Sequence, residues 1–181
     1  MDKAVFLDRD GVLVHDGGYV HRVQDLRLLP GVVEGLLRLQ AVGYKLVVVT
    51  NQSGIARGFY GEAEYQAFTS ALTEMLGHHG VTLAAVYHCP HLPDADVPAY
   101  AQHCDCRKPA PGMVLRALQA LDIDPAASVM IGDRRSDLQA GRAAGIARCV
   151  LIRDAGSQEP LPPEADIACQ DLDICAKHLV S

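Results

Sequence analysis

Two aspartates one residue apart, Asp8 and Asp10, follow directly on the apolar run Ala4-Val5-Phe6-Leu7 and are closed by Gly11. Carboxylates this close repel one another unless a cation or a shared proton offsets the charge. A second acidic group, Asp133 and Asp137 in Gly132-Asp133-Arg134-Arg135-Ser136-Asp137, also follows an apolar run. So does the hydroxyl and amide series Thr50-Asn51-Gln52-Ser53-Gly54, whose groups and glycine suit phosphate oxygens. Arg107 and Lys108 stand as a basic pair before the rigid Pro109-Ala110-Pro111. Taken singly, each is a weak signal, because acidic turns and basic pairs are mostly solvated surface. Together they describe a phosphate site, since Mg²⁺ binds one or two carboxylates plus substrate phosphate. Phosphoryl transfer needs little beyond charge neutralisation and in-line positioning. A carboxylate can also attack and form an aspartyl-phosphate. The spacing does not say which aspartate attacks.

A different chemistry is written at Cys89-Pro90-His91 and Cys104-Asp105-Cys106, separated by a stretch rich in Pro and Asp. Three thiolates and one imidazole complete a closed tetrahedral Zn²⁺ site, which is structural because no position is left open. It would staple loop 88–108, which has too few apolar residues to hold itself. His88 and His103 lie beside the set, so the cysteines are fixed more firmly than the histidine. Cys149, Cys169 and Cys175 read as ordinary core or surface residues.

These groups need a scaffold, and the rest of the chain supplies one. Strands are expected at residues 3–7, 44–49, 81–87, 127–131 and 147–152, with a short edge strand at 165–168. Helices are expected after Pro30-Gly31, over residues 62–78, after Gly112, over 138–144 and over 172–179. In the 62–78 helix Tyr65, Phe68, Leu72, Met75 and Leu76 form one apolar face; the apolar residues of the next include Val114, Leu115, Leu118 and Leu121. Alternating strands and helices predict an α/β fold, a doubly wound, mainly parallel, Rossmann-like sheet covered on both faces. The carboxyl ends of its strands are where ligands bind. One domain over residues 1–181 is expected, with the zinc loop 88–108 inserted in it.

The 181 residues carry a net charge of −6, which makes nucleic acid or an anionic membrane an unsuitable partner. An anionic substrate must be drawn in locally. The first apolar run stops at Asp8, so no signal peptide or membrane span is expected, and a cytoplasmic monomer is the reading.

Phe6-Leu7-Asp8-Arg9-Asp10-Gly11, Thr50-Asn51, Lys108 and Gly132-Asp133 with Asp137 resemble, in order and spacing, the four motifs of the haloacid dehalogenase superfamily of phosphatases. The longer matches Gly18-Tyr19-Val20-His21, Thr50 to Gly58 and Cys104 to Pro109 resemble its capless, zinc-loop heptose bisphosphate phosphatases, over roughly residues 4 to 153. Val12 departs from the pattern, where many members carry Thr; only a small effect is expected. The resemblance implies that Asp8 is the nucleophile and Asp10 the general acid, then base. It implies Mg²⁺ held by the Asp8 carboxylate, the Asp10 main-chain carbonyl and Asp133, with Arg134 or Asp137 close by. Thr50, Arg107 and Lys108 would hold the transferring phosphoryl group. Asp16, Gly17, Gly18, Tyr19, Asn51, Gln52, Ser53 and Arg57 would contact a small phosphorylated sugar and its second phosphate. Histidinol-phosphate phosphatases share fold, zinc loop and chemistry and are the nearest alternative. A non-enzymatic phospho-receiver domain is the alternative of another class, but it has no need of a zinc loop.

Overall fold

The computed structural model describes residues 1–181. Strands β1 (Lys3–Leu7), β2 (Tyr44–Asn51), β3 (Leu83–Cys89), β4 (Val129–Gly132), β5 (Arg148–Ile152) and β6 (Ile167–Cys169) form one parallel sheet, in the order β3-β2-β1-β4-β5-β6. Helices α1 (Val32–Ala41), α2 (Glu62–His78), α3 (Gly112–Ala120), α4 (Arg135–Ala143) and α5 (Leu172–Val180) lie between and after them.

Period-two alternation in the central strands sorts their side chains between two cores. Val5, Leu7, Val48 and Ile131 pack with Leu36 and Leu39 of α1, Phe68 and Leu72 of α2, and Leu172 of α5. Ala4, Phe6, Val47, Val49 and Met130 pack with Met113, Val114 and Ala117 of α3 and Leu138 of α4. Full burial of each large apolar side chain contributes about 1.5–3 kcal/mol, so the central strands are the firmest part of the molecule. Helices cover both faces of the sheet, as expected.

Several boundaries differ from the sequence expectation, each for a local reason. Residues 81 and 82 leave the third strand because the Val81 N–H closes the end of α2 on Leu76 O and the Thr82 N–H is taken by Gln40 Oε1. At its other end the strand runs on to Cys89, which pairs with Asn51 of β2. Helix α4 begins at Arg135, ahead of residue 138, because the Asp137 carboxylate accepts the Arg134 N–H and closes the first turn. Residues 125–127 form a short 3₁₀ turn, so β4 starts at Val129. The edge strand sits at Ile167–Cys169. In α3 the buried face is Met113, Val114 and Ala117, whereas Leu115 lies off that stripe and is exposed. Cys149, Cys169 and Cys175 are all buried in the two cores. No helix is long and apolar enough to cross a membrane.

Candidate active site

The register of β1 between β2 and β4 sets Leu7 opposite Val48 and Ile131, so the carboxyl ends of three strands meet at one rim. There the Asp8 N–H donates to Ile131 O (3.1 Å), which places Asp8 beside the end of β4. The chain then turns at Gly11 with φ +85°, and a Cβ there would overlap the Asp133 carboxylate, so only glycine fits.

Asp8, Asp133 and Asp137 present carboxylate oxygens within 4.8 Å of one another. Buried Lys108 enters from the far side. Its Nζ donates to Asp8 Oδ1 (2.7 Å) and Val49 O (2.7 Å) and pairs with Asp137 Oδ1 (2.8 Å). One lysine against three acids leaves this corner short of positive charge. Burial, opposed by Lys108 and reinforced by Asp137, pushes Asp8 up to about 8. Burial and the neighbouring Asp137 raise Asp133 to about 6. Burial disfavours the Lys108 charge, but Asp8 and Asp137 outweigh it and hold its pKa above the ordinary value. Asp133 Oδ1 is buried with no hydrogen-bond partner. An orphaned carboxylate oxygen in a cluster of acids suits a hard divalent cation, so these residues fit Mg²⁺.

Asp10 is turned away from that cluster. Arg9, itself almost wholly buried, donates from Nε to Asp10 Oδ1 (3.0 Å) and from a terminal nitrogen to Oδ2 (3.0 Å). Gln52 Nε2 also donates to Asp10 Oδ2 (3.0 Å). Burial raises the Asp10 pKa against these donors. Thr50 is buried at the end of β2, and its Oγ1 accepts from Gln52 Nε2 (2.8 Å). Asn51 grips the main chain of Lys108 at both groups: Nδ2 donates to Lys108 O (3.1 Å) and Oδ1 accepts the Lys108 N–H (3.0 Å).

A polar cleft of about 570 Å³ opens over this rim, lined by Asp8, Asp10, Asp16, Gly18, Tyr19, Asn51, Gln52, Ser53, Arg57, Arg107, Lys108 and Arg134 among others. Gly17 is exposed on the same loop but does not line it. Asp16 Oδ1 accepts the Gly18 N–H (3.0 Å), which turns the loop towards the cleft, and Tyr19 meets Phe59 edge-on at 4.8 Å. Arg57 lies 5.8 Å from the Tyr19 ring, and its buried Nε has no partner. The Arg134 guanidinium donates to Asp16 Oδ2 (3.3 Å). A guanidinium repels a cation, so any part Arg134 takes beside a metal falls to its main-chain carbonyl, which also accepts the Asp137 N–H (3.0 Å).

Beside the rim, Cys89, His91, Cys104 and Cys106 form a second cluster. Cys89 Sγ lies 3.0 Å from Cys106 Sγ and 3.5 Å from Cys104 Sγ, and His91 Nδ1 lies 3.4 Å from Cys106 Sγ and 3.7 Å from Cys89 Sγ. Ligands about 2.3 Å from a tetrahedral Zn²⁺ stand about 3.8 Å apart, so the donor set fits with slight expansion. His88 is engaged elsewhere, with Glu62 Oε2 (3.0 Å), and His103 is exposed, which singles out His91. One Arg107 terminal nitrogen donates to His91 O (3.3 Å), tying the basic pair to the loop.

Among the residues that sequence reasoning left without a role, Arg9 and Tyr60 stand out. Arg9 sits between the two aspartates, and a cation there could have been read as their partner. No local signal announces that Tyr60 reaches Gln52.

The HAD-hydrolase-like family model matches residues 105–173. Over 165 residues the chain is 47% identical to the D-glycero-beta-D-manno-heptose-1,7-bisphosphate 7-phosphatase of Photorhabdus laumondii, covering 91% of this chain and 86% of that one. The chain belongs to the haloacid dehalogenase superfamily of phosphatases. This phosphatase is also 40% identical over 170 residues to the alpha-anomer enzyme of the same organism, covering 94% of this chain and 92% of that one. A solved relative, D,D-heptose 1,7-bisphosphate phosphatase from B. bronchiseptica complexed with magnesium and phosphate, superposes with a TM-score of 0.84. It is 33% identical, covering 98% of each chain.

Proposed function

We propose that this phosphatase removes the 7-phosphate of D-glycero-D-manno-heptose 1,7-bisphosphate, leaving the 1-phosphate, in the supply of heptose for lipopolysaccharide core or another surface glycan. The β anomer is the preferred substrate. The observation that carries this reading is the 47% identity to a β-anomer 7-phosphatase over 91% of the chain, against 40% to the α-anomer enzyme. The cleft supports it, with an acidic corner holding Lys108 at one side and Arg57, with an unpartnered Nε, among its lining residues. The reported relatives, heptose bisphosphate phosphatases, support this substrate over histidinol phosphate or a receiver domain.

In the proposed reaction Asp8 attacks phosphorus. A bond forms from its carboxylate oxygen to phosphorus and the bond from phosphorus to the sugar oxygen breaks. Asp10 gives its proton to the departing oxygen, then takes one from the water that cleaves the aspartyl-phosphate. Thr50, Arg107 and Lys108 hold the phosphoryl oxygens. Asp16 to Tyr19, Asn51 to Ser53, and Arg57 contact the sugar and its second phosphate. Mg²⁺ would be held by the carboxylates of Asp8 and Asp133 with the Asp10 carbonyl, Asp137 standing next to them, and when bound it supplies charge neutralisation at the phosphoryl group. Zn²⁺ held by Cys89, His91, Cys104 and Cys106 would be structural. Residues 1–181 act as one domain with loop 88–108 inserted, working as a cytoplasmic monomer.

The test is phosphate release with Mg²⁺ from the β and α heptose 1,7-bisphosphates and from histidinol phosphate in parallel. The highest kcat/KM is expected for the β-heptose bisphosphate. A preference for histidinol phosphate would overturn the substrate reading while leaving the chemistry.

A further inference from the structure

Gln52 is almost wholly buried and bridges three groups of the rim. Its Nε2 donates to Asp10 Oδ2 (3.0 Å) and Thr50 Oγ1 (2.8 Å), while its Oε1 accepts from the Tyr60 hydroxyl (2.6 Å). The two ends of an amide have the same shape and opposite hydrogen-bonding character. Only the nitrogen end can serve a carboxylate.

We propose that Tyr60 is a positioning residue for Asp10: its hydroxyl holds the Gln52 carbonyl so that the Gln52 N–H stays on the carboxylate. This rests on the reading of Asp10 as general acid and base. The hydroxyl is the one contact at the carbonyl end. Without it, Oε1 becomes a buried acceptor with no partner, and Gln52 leaves Asp10 to find one. The ring is built into its place. His21 stacks on it at 4.6 Å with planes 13° apart. A Cβ on Gly54 would overlap it, so the glycine of the Thr50-to-Gly58 segment makes the space Tyr60 occupies. Burial pushes the phenol further from ionisation, so it remains a donor. Arg9 grips both oxygens of Asp10 from behind and leans on the Phe68 ring at 4.5 Å. Gln52 adds the second, lateral hold. An acid that must meet one leaving oxygen needs its own oxygens fixed in direction.

The test compares kcat/KM on heptose bisphosphate, whose alkoxide leaves only with a proton, and on p-nitrophenyl phosphate, whose phenolate leaves without one. Tyr60→Phe should lose about tenfold on the sugar substrate and less than about twofold on the nitrophenyl ester. Its melting temperature should fall by only a few degrees, since the ring remains and one buried hydrogen bond is lost. Gln52→Ala, which also removes a proposed sugar contact, should show at least as large a split, and adding Tyr60→Phe to it should cost nothing further, because the hydroxyl acts through the amide. Equal losses on both substrates, no loss on the sugar, or a further loss in the double variant would overturn the proposal. Asp10→Asn separates the two readings. If it shows a strong leaving-group split and Tyr60→Phe and Gln52→Ala do not, the positioning role alone is wrong. If Asp10→Asn shows no split, the acid role fails and the positioning role falls with it.

Discussion

The carboxylate corner and the cysteine loop each gather metal-binding groups within bonding distance of a common centre, yet different physics holds them there. Asp8 and Asp133 ride on the ends of adjacent buried strands, with apolar packing on both faces of the sheet beneath them. Burial there, with the neighbouring Asp137 carboxylate, raises the pKa values of both acids, and the packing beneath them carries that cost. Loop 88–108 has few apolar residues of its own, and of its ligands Cys89 and Cys106 are buried against the sheet's core while His91 and Cys104 are half-buried. It is the sort of segment that needs a metal to fold. A scaffold that is stable anyway can store electrostatic strain, whereas a loop that is not would depend on an ion to assemble it. Lys108 joins the two, since it is the last residue of the loop and its side chain ends in the corner.

This contrast can be broken from either side. The largest effect is expected from Asp8→Asn, which should lower turnover by about a thousandfold or more. Fold and zinc content should be unchanged, by circular dichroism and metal analysis. Cys106→Ala should do the converse. It should release zinc and speed amide exchange across residues 89–108 while the central strands stay protected. Activity should fall about 10- to 100-fold as Arg107 and Lys108 lose their placement. A native protein without zinc would sink that half of the contrast.

The joint itself is tested by Asn51→Ala, which frees both main-chain groups of Lys108. A loss of about 1–3 kcal/mol in stability is expected, with a drop in kcat smaller than that of Cys106→Ala. Unchanged stability to urea would show that Asn51 is no brace.

The smallest effect concerns pH. Asp8 at about 8 and Asp133 at about 6 both lie above their ordinary value of 3.8. Between those limits the metal-free fold binds protons that the unfolded chain has lost, so stability falls with rising pH. Their contribution is whole below the ordinary value and is lost as pH climbs through 6 and then 8. Mg²⁺ requires both groups ionised, so the rise in melting temperature at a fixed Mg²⁺ concentration should grow from pH 6 to pH 8. A Mg²⁺ effect independent of pH would contradict the placement of the cation beside these acids.

The same contrast explains what could be read from sequence. The corner was legible because apolar runs ending in Asp8, Thr50 and Asp133 obey a periodic rule, and parallel topology brings strand ends together. The cysteine loop was legible because thiol and imidazole spacing is specific. Contacts between distant side chains were not. Asn51 bracing Lys108, and Gln52 bridging Asp10 and Tyr60, depend on where a loop folds back. The capped start of α4, and the Arg134 guanidinium reaching Asp16, likewise follow from local hydrogen bonds that periodicity does not encode.

The central claim is that Asp8 carries the phosphoryl group. The direct measurement is to mix enzyme, Mg²⁺ and heptose bisphosphate, quench in acid within one turnover, reduce with borohydride and sequence the peptides. An aspartyl-phosphate is reduced to homoserine, and the account predicts homoserine at position 8. Homoserine at another aspartate, or none under conditions where burst phosphate release is seen, would contradict it.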